Sequence, residues 1–285
     1  MNIENTFESK EQLKKYYFFL GGEDLEMREI KTLLDSQEIP YQQTATGWGA
    51  ESDEFEKQIK EKVAQGYIPV KIELAGNIED VDNLVDIDHH NDQSTIKPAS
   101  ILQVYSLLGI KPDRRAQLVA INDAEYSHGL LKFGATLKEI EEIRKDDRAT
   151  QGITSEQEDS SQRAFQNMEI KDIGDLKVGI VDNMSHSKFT SVSDRAFTSG
   201  DVDCLICIYR NKDGNEIQFE WVPRLCKELG EKYPYPQSWY GRNYWGSDKL
   251  DPDKIKQEIS DWLMVNGSES EISQPNPRFL NKEIG

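Results

Sequence analysis

The run KKYYFFLGG, residues 14–22, constrains the fold more than any other segment of the chain. Aromatic and apolar side chains without interruption mark a buried strand, and the two glycines stop it at a tight turn. The period then changes. In DLEMREIKTLLDSQEI, Leu25, Ile30, Leu33 and Leu34 recur at helical spacing, and Pro40 closes the run. SDEFEKQIKEKVAQG, residues 52–66, predicts a second helix with Ser52 as N-cap and Gly66 as stop, while YIPVKIELAG and NLVDIDHH predict two more strands. Strands alternating with helices imply parallel connections, and open α/β sheets gather ligands at the carboxyl ends of their strands. A site is therefore expected where GGEDLE follows the first strand, where Glu73 ends the next long one, and where DIDHHND follows the last.

Further helices are expected at 98–109, at 113–126 with an acidic cluster at its end, and over TLKEIEEIRKDDRAT and TSEQEDSSQRAFQNM. The TSEQ at 154–157 has the form of a capping box. From about Asp175 the texture becomes β-rich: LKVGIVDN, DCLICIYR and EIQFEWV read as strands, NKDGNE suits a hairpin, and a late helix begins near Pro252. The expected organisation is a catalytic domain over 1–150, a helical connector over 151–174, a second, smaller α+β domain over 175–265, and a flexible tail over 266–285 rich in Ser, Glu, Asn and Pro. The fold class is α/β.

Composition limits the partners. The 285 residues carry 34 Lys+Arg against 52 Asp+Glu, a net charge of −18, which argues against binding duplex nucleic acid through its phosphates. A small anionic ligand admitted through metal ions stays compatible. Three clustered cysteines, Cys204, Cys207 and Cys226, do not form a disulfide framework and point to a reducing compartment, with the cytoplasm the expected location. The CLIC spacing reads as structural thiols on a buried strand, because residues three apart on a strand face opposite ways. No apolar run reaches the length of a membrane helix, so no membrane partner is expected. The oligomeric state stays open, a homodimer included.

LVDIDHHND, residues 84–92, holds two of the four histidines side by side among three aspartates. Imidazole and carboxylate together suit Mn²⁺, Fe²⁺, Co²⁺ or Zn²⁺, and an all-oxygen set would suit Mg²⁺. Asp24, Glu26, Glu73, Asp86, Asp88 and Asp123 are all expected near one edge, enough for two ions roughly 3.5–4 Å apart that polarise a phosphoryl oxygen and activate water. The chemistry is that of phosphoester hydrolysis.

VDIDHHND resembles the Asp-His-His signature of the DHH phosphoesterase superfamily. The family's opening motif places a histidine, an aspartate four residues on and a second aspartate two further; here the frame holds Leu20, Asp24 and Glu26, so the histidine is absent. The later acidic motif maps onto Glu73, the signature onto Asp88, His89 and His90, and the fourth motif onto Asp123 in INDAEYSHG. The resemblance covers about residues 15–130. It implies a DHH-type parallel-sheet domain in which Asp24, Glu26, Glu73, Asp88, His89 and Asp123 hold metal, Mn²⁺ by preference and one or two ions in number. Asp88, His89 and His90 would carry catalysis, His90 beside the phosphate.

Family members often carry a second domain with a glycine-rich, basic stretch. SWYGRNYWGSD is similar in character: Gly241 and Arg242 could meet phosphate, with Trp239, Tyr240, Tyr244 and Trp245 available to stack on a base, although a hydrophobic corner accounts for the aromatics equally well. His128 is either the imidazole missing at Leu20 or an ordinary loop histidine. His186 and Lys188, in a Ser/Thr-rich loop, are either substrate contacts or solvated. The resemblance implies a metal-dependent phosphodiesterase acting on a small nucleotide-containing phosphodiester, a short oligonucleotide or a nucleotide second messenger. An inactive nucleotide sensor or partner-binding module on the same fold, and an inorganic pyrophosphatase, are the competing readings.

Overall fold

A computed structural model describes residues 13–45, 49–89, 97–212 and 214–272. The chain divides into two compact units, one running to Ala135 and taking up Glu139–Gln151, the other holding Thr136–Lys138 and the chain from Gly152.

The first unit contains β1 (Tyr16–Leu20), α1 (Leu25–Ser36), β2 (Tyr41–Gln43), a 3-10 turn (Ser52–Phe55) entering α2 (Glu56–Ala64), β3 (Ile68–Ile72), β4 (Val85–Ile87), α3 (Ser100–Leu107), α4 (Arg114–Lys132) and α5 (Leu137–Thr150). Its four strands are all parallel, in the order β2-β1-β3-β4, with Val70 paired to both Phe18 and Val85. The uninterrupted apolar run of β1 is explained by burial on both faces. Tyr16, Phe18 and Leu20 join the core formed with α1, α3 and α4. Phe19 turns the other way onto Phe55 and Ile59. Phe18 is fully buried, and its truncation to alanine should cost about 3–5 kcal/mol.

The second unit contains α6 (Ser155–Gln166), β5 (Glu169–Ile173), β6 (Leu176–Met184), α7 (Thr190–Ser199), β7 (Cys204–Asn211), β8 (Gly214–Glu220), α8 (Pro223–Lys232), β9 (Trp239–Tyr240), β10 (Tyr244–Ser247), α9 (Pro252–Asn266) and a 3-10 turn (Glu269–Glu271). Its mixed sheet has the order β5-β6-β7-β8-β10-β9, with β6 and β7 parallel and the other pairs antiparallel. Ile206, Phe219, Trp245, Ile255 and Leu263 lie in its core. The three cysteines are free thiols, all buried.

Local expectations are corrected in several places. Ser52 caps nothing through its side chain; its hydroxyl instead donates to the carbonyls of Ala75 and Gly76. The helix expected to end at 126 continues to Lys132 across a kink at Tyr126, so His128 is helical. The 151–174 stretch includes β5, an edge strand of the second sheet, and α6 packs against β6 and α7. The Ser/Thr-rich stretch beyond His186 becomes α7 from Thr190 onward. Of the expected tail, Asn266 ends α9 and Glu269–Glu271 form a turn, while 273–285 fall outside the described residues. No described helix is long and apolar enough to cross a membrane.

Candidate metal centre

The carboxyl ends of β1, β3 and β4 each deliver a polar side chain to one place. After β1, Gly21 lets two backbones meet: a Cβ there would lie 2.3 Å from the Glu73 carbonyl oxygen. Gly22 follows with a φ of +57°, and Asp24 then caps α1, its Oδ1 accepting the Met27 N–H at 2.8 Å. The other oxygen, Oδ2, is buried and accepts no hydrogen bond. An orphaned buried carboxylate oxygen calls for a cation or a proton. Glu26, in the first turn of α1 and 1% exposed, is held the same way: Oε1 accepts the Ile101 N–H at 3.0 Å, and Oε2 faces His89 Nε2 at 3.5 Å.

His89, two residues beyond β4, is the hub. Its Nε2 lies 2.6 Å from Asp123 Oδ2 on α4 and 3.8 Å from Glu73 Oε1. Ligand atoms of Glu26, His89 and Asp123 all fall within 4.8 Å of one another, and among the described residues this trio is the group able to hold a metal ion. Asp24, Glu26 and Asp123 line a narrow cleft of about 70 Å³ together with Tyr126 and Asp147. Burial pushes the Asp24 carboxyl up to about 6 and raises Glu26 as well. Contact with Asp123 and then Glu26 pushes the His89 imidazole up to about 10. The donor set of two carboxylates and one imidazole fits a divalent cation.

Glu73 has a φ of +52°, sparsely populated for a side-chain-bearing residue, and its conformation is braced from behind. Lys71, 3% exposed, donates from Nζ to the carbonyls of Leu74 at 3.2 Å and Gly76 at 2.6 Å and pairs with Asp86 at 3.1 Å. With the Ser52 hydroxyl on the same loop, two side chains hold the segment directly after Glu73. A charged residue inside the apolar run IPVKI was the available sequence signal for this brace. A second support sits below Asp123: Arg144, 2% exposed, donates to Asn122 Oδ1 at 2.8 Å and to Asp147 Oδ2 at 2.7 Å. Sequence spacing alone gives no hint of it.

The remaining candidates fare differently. Asp88 lies outside the trio; its carbonyl accepts a long hydrogen bond from Gln103. His90 lies outside the described residues. Leu20 is fully buried in the apolar core, so that frame position offers no ligand, and His128 is not part of the group that replaces it. His186 is buried, with Nδ1 accepting the Lys188 N–H at 3.1 Å and Nε2 3.1 Å from both Ser161 Oγ and the Gln157 carbonyl. Its Nε2 therefore carries the proton, which rules it out as a base toward Ser161. Lys188 is exposed. Arg242 is exposed in the turn between β9 and β10, where Gly241 N donates to the Tyr244 carbonyl. A Cβ at Gly241 would meet the Tyr244 ring at 2.6 Å, and one at Gly246 the Trp239 indole at 2.7 Å, so these glycines seat aromatic rings. Trp245 is core rather than surface, its indole N–H donating to Ser238 Oγ at 3.0 Å, which leaves Trp239, Tyr240 and Tyr244 exposed.

A four-stranded parallel sheet carries the carboxylate–imidazole cluster across its strand ends, and a mixed-sheet unit follows it in the chain. The α/β class, a parallel sheet with a second mixed-sheet unit, is the one expected from the sequence. The solved structure of the pGpG-specific phosphodiesterase PggH from Vibrio cholerae superposes with a TM-score of 0.51 at 12% identity, covering 88% of this chain and 100% of that one. An exopolyphosphatase-related protein from Bacteroides fragilis is similar at a TM-score of 0.45 and 10% identity, over 88% of this chain and 93% of that one. No family model and no curated protein sequence matches the chain.

Proposed function

We propose that this chain is a divalent-metal-dependent phosphodiesterase that cleaves a small nucleotide-containing phosphodiester, with a linear dinucleotide of the pGpG kind as the leading substrate. The observation that carries this reading is the convergence of Glu26, His89 and Asp123 at the carboxyl edge of a DHH-type sheet. A bound ion, Mn²⁺ by donor preference, would polarise the phosphoryl oxygen and lower the pKa of water. The chain's residues do the rest. Glu26 and Asp123 would supply the negative charge that holds the cation, and His89 would complete the set through Nε2. Asp24 and Glu73 stand at the border, where Asp24 Oδ2 can take a proton or orient water. The acidic surface favours short substrates over polymer. Arg242 and the exposed aromatics of the β9–β10 hairpin offer a guanidinium for phosphate and rings for a base.

The buried apolar Leu20 at the position where the family carries a histidine supports a second reading, a nucleotide sensor that kept the fold and lost turnover. Hydrolysis of pGpG by the full chain with Mn²⁺, beside His89→Ala and Asp123→Asn, separates the two. Turnover that disappears in both variants supports the phosphodiesterase. Binding of pGpG without turnover in the unaltered protein would replace it by the sensor.

A further inference from the structure

Tyr126 is the most unusual residue near the cleft. It stands three positions after Asp123, inside α4, with φ of +51° and ψ of −150°. That region is close to glycine-only territory, so the backbone is strained there, and strain of this kind persists where the surroundings enforce it. The kink turns the ring to the cleft lined by Asp24, Glu26 and Asp123, yet leaves the residue 58% exposed. Behind the ring sits the Arg144 guanidinium, its carbon 5.1 Å from the ring centroid. Arg144 cannot swing away, because Asn122 and Asp147 hold it in the interior. The result is a fixed, partly exposed aromatic plate at the mouth of an otherwise acidic site.

We propose that Tyr126 is a specificity-determining residue that stacks on the nucleobase next to the phosphate held at the metal centre. This deepens the phosphodiesterase reading and rests on it. A stacking plate is tolerant of base identity because every base has a π-face, so the preference it creates is for nucleotides over base-free phosphodiesters. Arg144 is then a positioning residue: it fixes the ring from behind.

The test compares kcat/KM for pGpG with kcat/KM for the corresponding 5′-phosphorylated dinucleotide analogue lacking both bases, using the full chain and its Tyr126→Phe, Tyr126→Ala and Tyr126→Gly variants. Loss of the ring in the Ala and Gly variants should lower the ratio of the two values about tenfold, and the Phe variant should keep it. Both small variants lack the ring, so the Gly variant should melt above the Ala variant if the backbone is strained. An unmoved ratio in a working enzyme, or Phe failing like Ala, removes the stacking role of Tyr126 and leaves the phosphodiesterase standing. An Ala variant more stable than the Gly variant removes the strain on which the plate depends. Absence of both turnover and pGpG binding in the unaltered chain removes the phosphodiesterase reading itself, and the assignment of Tyr126 with it.

Discussion

His89 and His186 are both buried imidazoles, one in each unit, and they have opposite chemistry because of their neighbours. His89 faces the carboxylates of Glu26, Glu73 and Asp123. His186 is surrounded by neutral partners, a backbone N–H, a carbonyl and a serine hydroxyl, which use both ring nitrogens. The first arrangement concentrates negative charge that only protons or a cation can balance, and the second is complete as it stands. Burial of a histidine says little about its role. The sign and number of its partners decide whether it is a ligand or a rivet.

The sharpest way to break this comparison is substitution at the two histidines. His89→Ala should reduce phosphodiester turnover at least about a hundredfold, and it should also lower the stability of the metal-free chain, because Glu26 and Asp123 lose the imidazole that faces them. His186→Ala should leave turnover near that of the unaltered chain and lower stability by about 1–3 kcal/mol, the cost of orphaned buried groups. Steady-state kinetics beside urea unfolding reads both, and a reversal of the two patterns would undo the distinction.

Next in size is the response to metal and pH. Binding at the cluster must displace protons held by Asp24, raised to about 6, and His89, raised to about 10. Mn²⁺ affinity should therefore climb with pH, and titration calorimetry in two buffers should show proton release at pH 7. In the metal-free protein the sign for folding is the reverse. Groups whose folded pKa is raised stabilise the fold below their unfolded values and lose that contribution as pH rises through the folded ones. Mn²⁺ should accordingly raise the melting temperature more at pH 8 than at pH 5.5; an equal shift at both would place binding elsewhere.

The brace behind Glu73 gives a smaller effect. Lys71→Met should weaken Mn²⁺ binding about 10–100-fold, the range for residues that orient ligands, without changing the ligands themselves. Unchanged affinity would make Lys71 a matter of stability alone.

The second unit has its own buried carboxyl, Glu220, pushed up to about 7 by burial, with Gln218 as a hydrogen-bond donor. Stability of the unaltered chain should fall between pH 4.5 and 7 as this group loses its proton, by an amount on the order of 3 kcal/mol at most. Glu220→Gln should flatten that part of the stability profile and leave Mn²⁺ affinity as it was. A profile that keeps its slope would show that another group titrates.

The sequence reveals the strands β1, β3 and β4 because continuous burial demands continuous apolar residues, and the site because its carboxylates follow those strands directly. Asp24, Glu26, Glu73 and His89 were legible as residues at those strand ends, and Asp123, on α4, only through the motif in INDAEYSHG. Pairing was not. That Glu26 reaches the start of α3, at Ile101, depends on how α1 and α3 dock, which no local spacing records. The edge strand β5, reading EIKDI and mostly exposed, has too little apolar character to announce itself. β9 and β10 are short, and their aromatics divide between core and surface, so Trp245 could not be separated from Trp239 without the glycines that seat the rings. Tyr126 was hidden by the helical periodicity on both sides of it, and Arg144 looked like one charge among many on a polar helix.

The central claim is that Glu26, His89 and Asp123 form a metal centre, and anomalous diffraction at the manganese edge from crystals grown with Mn²⁺ tests it most directly. The account predicts a peak at coordination distance, about 2.0–2.3 Å, from His89 Nε2 and from carboxylate oxygens of Glu26 and Asp123. Full Mn²⁺ occupancy at any other place, with this cluster holding only protons or water, would contradict it.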